Sequence, residues 1–125
     1  MANKNRVFVY GTLKQGNRTR GMQHFGGEAE FIGDATTDAD FSMYNLGSFP
    51  AAVLNGEHKI SGQVFDVDDD VLEVLDHIEG YPDFYSRDQI NTSLGKAWIY
   101  HIKDIDEYHG EKIVPSDGNT VSWLR

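Results

Sequence analysis

At 125 residues, with 39% hydrophobic and 12% aromatic content, the chain fits one domain over residues 1–125 that buries a sizeable core without staples. Its net charge of −9 leaves no cation excess to displace counterions from a nucleic-acid backbone. The absence of cysteine excludes disulfides, thiolate catalysis and Cys-ligated zinc. Apolar residues come in short runs, none near the ~18 needed to span a membrane. The polar opening Met1-Ala2-Asn3-Lys4-Asn5-Arg6 lacks the apolar centre of a signal peptide, so the expectation is a cytoplasmic protein. The basic cluster of Lys14, Arg18, Arg20 and His24 is too small for a nucleic-acid footprint but suits attraction of a small anionic substrate.

Arg6-Val7-Phe8-Val9-Tyr10, ended by Gly11, reads as a short buried strand. Residues 14–17 read as a loop, with Asn17 capping a short helix to about Phe25 and Gly26-Gly27 stopping it. Residues 28–38 and 41–46 read as strands around a bend at Asp38–Asp40. Further strands are expected at Ile60–Val67, Tyr85–Thr92 and Ala97–Ile102, with Gly95-Lys96 connecting the last two as a hairpin. Val121-Ser122-Trp123-Leu124 ends a polar tail and is apolar enough to pack back onto the body. Five to seven strands with two helices make an α+β fold with a strongly curved sheet or barrel.

The strongest helix signal lies between residues 68 and 79. Asp68-Asp69-Asp70 puts acids at the electropositive end, Asp70 and Glu73 have capping-box spacing, and Gly80 with Pro82 marks the stop. At about 100° per residue with Val71 at zero, Ile78 falls at about 340°, Leu75 at about 40° and Leu72 at about 100°. Those three with Val71 form the expected buried face, and Glu79 lands inside it at about 80°. Burial and the electronegative helix end both raise the pKa of such a carboxyl, which suits a proton carrier near neutral pH. The competing reading is a helix that frays after Ile78 and turns Glu79 out to solvent.

Two segments weigh between these readings. Val7-Phe8-Val9-Tyr10-Gly11-Thr12-Leu13-Lys14 and Leu75-Asp76-His77-Ile78-Glu79-Gly80-Tyr81-Pro82-Asp83-Phe84-Tyr85-Ser86-Arg87 resemble, in order and spacing, the two signatures of the γ-glutamylcyclotransferase-like family. The resemblance is closest to its γ-glutamylamine cyclotransferase branch, where a strand ends in Tyr-Gly-Thr-Leu-Lys and the second segment carries the catalytic acid. Tyr44-Asn45-Leu46-Gly47-Ser48-Phe49-Pro50-Ala51 is similar to the family's middle strand and turn, and Gly62-Gln63-Val64-Phe65 to its Gly-x-Val-Tyr strand, with Phe65 replacing Tyr. The likeness covers about residues 6–102. It implies a small mixed β-barrel of about five to seven strands with two or so flanking helices. It also implies cyclisation of an L-γ-glutamyl amide or amine to 5-oxoproline, releasing the free amine, in a monomer or small homo-oligomer. The substrate's α-amine attacks its own γ-carbonyl, so the protein supplies no nucleophile, cofactor or metal, only a proton carrier. The resemblance assigns that role to Glu79, wraps the glutamyl end in Tyr10, Gly11, Thr12 and Leu13, and places the Tyr85 hydroxyl within hydrogen-bonding reach of the substrate.

Other candidates have blander uses. His24, His58, His77, His101 and His109 lack metal-ligand spacing and suit surface or structural roles. Ser42, Ser48, Ser61 and Ser86 lack a nucleophile elbow. Gly11 and Gly16 have phosphate-loop spacing, but Asn17-Arg18 stands where Lys-Ser/Thr is required. Asp68–Asp70 suits capping better than a cation, Asp76 a solvated helix edge better than a group that tunes the flanking Glu79, and Trp98, Tyr100 and Trp123 the core better than a substrate platform. The alternative function is a non-catalytic pocket protein for a small anionic metabolite or protein partner, which would have no need of an acid at position 79.

Overall fold

Val7-Phe8-Val9 sends apolar side chains to both sides of the backbone, so the strand they form needs cover on both faces. The computed structural model describes residues 4–10, 29–47, 49–115 and 118–123. In it, β1 (Lys4–Val9) has Val7 and Val9 in one apolar cluster and Phe8, with Tyr10 just beyond the strand, in another. The chain continues through β2 (Ala29–Thr36), β3 (Phe41–Asn45), β4 (Pro50–Leu54), β5 (Lys59–Asp68), α1 (Asp69–Glu79), β6 (Ser86–Thr92) and β7 (Gly95–His101). A 3-10 turn (Ile105–Tyr108) and two short strands, β8 (Glu111–Lys112) and β9 (Thr120–Val121), follow.

The sheet is mixed and runs β2-β5-β1-β7-β4-β3-β8, with β6 on β7 and β9 on β5. The α+β class holds, but the ladder among the described residues is open between β2 and β8 rather than closed into a barrel. Isolated bridges Thr37–Thr92 and Phe41–His58 curl the sheet without completing it. Seven strands have five residues or more, and β8 and β9 have two each. The helix expected from Asn17 to Phe25 lies outside the described residues.

Register is pinned by specific contacts. Arg6 pairs across the β1–β5 ladder with Asp66 in a two-point bond (Nε–Oδ1 2.8 Å, Nη2–Oδ2 3.0 Å), which lowers the Asp66 pKa. On β5, a Cβ at Gly62 would sit 2.4 Å from the Val9 carbonyl oxygen and 2.7 Å from the Phe8 ring. The Gly-x-Val strand therefore needs its glycine because β1 lies against it.

Three boundaries differ from expectation. The β6–β7 hairpin turns through Ser93-Leu94, so Gly95 and Lys96 open β7 instead of making the turn. β4 had no strand signal of its own: Pro50-Ala51-Ala52 is small and unalternating, and its pairing with β3 makes it a strand. Asp68, not Asp70, caps α1, its carboxylate accepting from Val71 N–H at 3.0 Å. Three consecutive aspartates all satisfy the cap preference, and the end of β5 at Asp68, paired with Lys4, selects among them.

α1 packs its Val71 and Leu75, both fully buried, on the face carrying Val7, Val9, Phe65, Val67, Tyr100 and Ile102. Each such side chain contributes roughly 1.5–3 kcal/mol. The other face is filled by Phe8, Phe41, Met43, Ile60, Val64 and Ile99, with Val121 and Trp123 of the tail packed back as expected. No helix among the described residues is long and apolar enough to cross a membrane.

Candidate functional site

The path of the backbone brings Glu79 to the end of β1. β5 is antiparallel to β1 and ends at Asp68 beside Lys4. α1 then returns across the sheet for 11 residues, about 16 Å. That carries its last residue back towards the carboxyl end of β1, where Tyr10 stands. Gly80 stops the helix in the left-handed region (φ 69°), with its N–H directed at the carbonyls of Asp76 and His77. A Cβ there would lie 3.1 Å from the Phe84 Cβ. The helix does not fray before Glu79, and the carboxylate stays on the partly buried side. Ile78 is the correction to the expected face: it is 53% exposed. The buried stripe centres near Leu75 and Glu79, which leaves Ile78 at its outer edge in the last turn.

Burial raises the Glu79 pKa from 4.5 to about 7. The carboxyl makes no hydrogen bond to another described residue that would hold it ionised. Three phenols surround it electrostatically: burial pushes the pKa of Tyr10, Tyr85 and Tyr100 up, and the Glu79 charge adds to each. All three hydroxyls therefore keep their protons.

Each phenol proton is already committed. β6 runs along one edge of β7, while β1 meets β7 at Val7–Trp98 and β4 meets it at Ala52–His101. At this fork a parallel ladder would have Ala52 N–H donate to the Tyr100 carbonyl. Instead the Tyr10 hydroxyl is inserted in that rung, accepting from Ala52 N–H at 2.9 Å and donating to the Tyr100 carbonyl at 2.5 Å. The Tyr85 hydroxyl donates to the Pro50 carbonyl at 2.7 Å. The Tyr100 hydroxyl donates to Asp76 Oδ1 at 2.6 Å. Toward a ligand, Tyr10 and Tyr85 offer lone pairs rather than protons.

Of the residues singled out in the sequence, Tyr10, Glu79 and Tyr85 are thus brought together, while Gly11, Thr12 and Leu13 lie outside the described residues, as do Lys14, Arg18, Arg20 and His24. Asp76 is not a solvated edge residue: besides Tyr100 it binds Arg87, with Nη1–Oδ2 at 3.0 Å. Tyr100 is a core residue that also belongs to the site, and Arg87 stands beside it on β6; the sequence alone assigned neither to it. Their signal was present only in part, as Asp76 and Arg87 both sit within the second motif. The buried His101 binds Asp88 (Nε2–Oδ2 2.7 Å) and His58 binds Asn119, both fitting structural roles. No group of three or more His, Cys, Asp or Glu among the described residues is arranged to hold a metal ion. A surface cleft of about 430 Å³ beside Phe41, Leu54 and Ile90 is lined by none of the residues around Glu79.

A mixed α+β sheet whose single described α-helix delivers a half-neutral carboxyl beside a strand fork is a fold with known relatives. The family described as "Gamma-glutamyl cyclotransferase, AIG2-like" matches residues 7–123. A Vibrio cholerae relative is 38% identical over 105 residues, covering 82% of this chain and 86% of its own. The Escherichia coli K12 gamma-glutamylcyclotransferase family protein YtfP is 37% identical over 97 residues, covering 76% and 80%. Among solved structures, an AIG2-like protein from Mus musculus superposes with TM-score 0.70 at 26% identity, covering 79% of this chain and 77% of that one. The chain belongs to the gamma-glutamyl cyclotransferase, AIG2-like family. The match runs through the tail, beyond the limit near residue 102 that the sequence motifs suggested.

Proposed function

We propose that the chain cyclises an L-γ-glutamylamine to 5-oxoproline and releases the free amine, with Glu79 as the proton carrier. The observation that carries this reading is the Glu79 carboxyl itself: partly buried, without a hydrogen bond to a described residue, and with a pKa raised to about 7. A carboxyl with that pKa is divided between its two protonation states at neutral pH, and acid–base catalysis is most effective there.

In the first step Glu79 takes a proton from the substrate's α-ammonium. The freed amine attacks the γ-carbonyl carbon, forming the ring C–N bond. As the intermediate collapses and the bond to the departing nitrogen breaks, Glu79 returns the proton to that nitrogen; the attacking nitrogen then gives up its second surplus proton to the departing amine, which leaves as an ammonium ion while the ring keeps one N–H. Atoms balance without cofactor or metal. In this reading Gly11, Thr12 and Leu13, next along the chain from Tyr10, hold the glutamyl end, with glycine permitting close backbone approach. Tyr10 and Tyr85 contribute hydroxyl lone pairs able to accept from the α-ammonium. Holding the amine against the γ-carbonyl supplies a further share of the acceleration. The fork between β1 and β4 suits such a pocket, because diverging strands leave a crevice at their ends.

The test is 5-oxoproline release, followed by mass spectrometry across γ-glutamyl amines, γ-glutamyl dipeptides, ε-lysine isopeptides and glutathione. Glu79→Gln is expected to lower turnover by about 10²–10⁴-fold while leaving the fold intact. Full turnover in that variant overturns the mechanism, and silence of the wild-type protein across the panel overturns the reaction.

A further inference from the structure

Asp76 precedes Glu79 by three residues, so the two side chains are neighbours on one helix face, with Cβ atoms about 5–6 Å apart. Two like charges at that spacing disfavour ionisation of both. Asp76, however, is not a bare charge. Its Oδ2 meets Arg87 Nη1 at 3.0 Å and its Oδ1 accepts the Tyr100 hydroxyl proton at 2.6 Å. The Arg87 guanidinium lies over two rings, 4.8 Å from the Tyr81 centroid and 4.4 Å from the Trp98 centroid. The ion pair is largely withdrawn from solvent, with side-chain exposures of 15% for Arg87 and 21% for Asp76. Arg87 Nε and Nη1 are both buried and neither makes a hydrogen bond, so the Nη1–Asp76 contact is an ion pair, and ring contacts and the Asp76 charge hold the group in place.

We propose that Asp76 and Arg87 form a charge-neutral brace between the end of α1 and the β6–β7 hairpin, fixing where the Glu79 carboxyl sits and cancelling the net charge it feels. Both are positioning residues; neither meets the reacting atoms. The other titratable groups facing Glu79 among the described residues are Tyr10 at the end of β1, Tyr85 in the segment after α1 and Tyr100 on β7, all protonated phenols. Asp76 and Arg87 are therefore the charges whose balance decides the local field.

This rests on Glu79 being the proton carrier, so the readout is chosen to work without turnover. The Glu79 carboxyl is titrated by carbon NMR in the wild-type chain, Asp76→Asn, Arg87→Met and the double variant. Asp76→Asn leaves an unopposed cation and is expected to lower the Glu79 midpoint by about half a unit or more. Arg87→Met leaves an unopposed anion and is expected to raise it by a similar amount. The double variant returns it towards the wild-type value, because the pair is again neutral. A purely structural brace would move the singles in the same direction or not at all, and either result overturns the proposal. Should Arg87→Met fail to fold, Arg87→Lys decides with Asp76→Asn. The lysine keeps the charge and should keep the midpoint, and an unmoved midpoint in Asp76→Asn overturns the idea by itself. Absence of 5-oxoproline release would sink the reaction assigned to the protein but leave this titration test intact.

Discussion

The two ends of α1 put the same kind of side chain in opposite surroundings. At its start Asp68, Asp69 and Asp70 meet the electropositive end of the helix; Asp68 binds Val71 N–H and Asp69 accepts from Asn5 Nδ2 at 2.8 Å. At its finish Glu79 meets the electronegative end, loses solvent and gains no hydrogen bond to a described residue. One end is arranged for stability and the other at its expense. Acids at the start are what helix formation asks for; an acid at the finish is not explained by helix formation. The lesson is that position relative to the helix axis, not residue type, distinguishes a capping carboxylate from a candidate reactive one.

That contrast is open to test, beginning with the largest effect. If Glu79 acts as a base in the free enzyme, kcat/KM should fall about tenfold per pH unit below its pKa of about 7. A pH profile flat from 5 to 8 would remove Glu79 from the proton transfer. The second effect is on folding. The folded-state pKa lies above the unfolded value of 4.5, so the folded chain binds the extra proton. Its stabilising contribution is complete below about pH 4.5 and disappears as pH rises through about 7, leaving a deficit on the order of 1–3 kcal/mol at pH 8. Glu79→Gln should therefore be more stable than wild type at pH 8, with the difference shrinking at pH 5 as followed by urea unfolding. A variant that is equally destabilised at both pH values would mean that the carboxylate is structurally satisfied after all.

Smaller effects separate the ends further. Gly80→Ala forces a Cβ into the left-handed region and toward Phe84, and should cost about 1–2 kcal/mol. Because it displaces the turn that carries Glu79, it should also reduce turnover. Asp68→Ala removes the cap and should cost about 1 kcal/mol, visible as a lower unfolding midpoint. Its kcat/KM and acid limb should stay at wild-type values. A shifted limb in Asp68→Ala would show that the two ends are electrostatically coupled and undo the contrast.

Local features of this molecule were legible in the sequence, and distant pairings were not. β1, the stop at Gly80 and the placement of Glu79 on the packed face all follow from periodicity and end preferences within about a dozen residues. Ile78 departs from the wheel because a wheel gives angles but not where the covering sheet ends, and at the outer edge of the last turn this residue is 53% exposed. β4 was hidden because small residues carry no alternation and its strand character comes from pairing with β3. The sequence favours a solvated edge for Asp76 because its partners, Tyr100 and Arg87, arrive 24 and 11 positions later in the chain. The bond from the Tyr85 hydroxyl to the Pro50 carbonyl, 35 positions earlier, is likewise absent from any local pattern. These bonds depend on tertiary arrangement, which a local pattern does not encode.

The hydroxyl of Tyr10 replaces a rung of the ladder between β4 and β7, and this bears on which changes the chain tolerates. A side chain beside a candidate site is ordinarily replaceable without harm to the fold. Here the same side chain stitches two strands whose backbone groups would otherwise face each other across a gap. Phenylalanine at this position would keep the ring and unfasten the seam, so drift is restricted by folding before selectivity enters. Substitutions that leave this hydroxyl in place are therefore better tolerated by the fold than any that remove it.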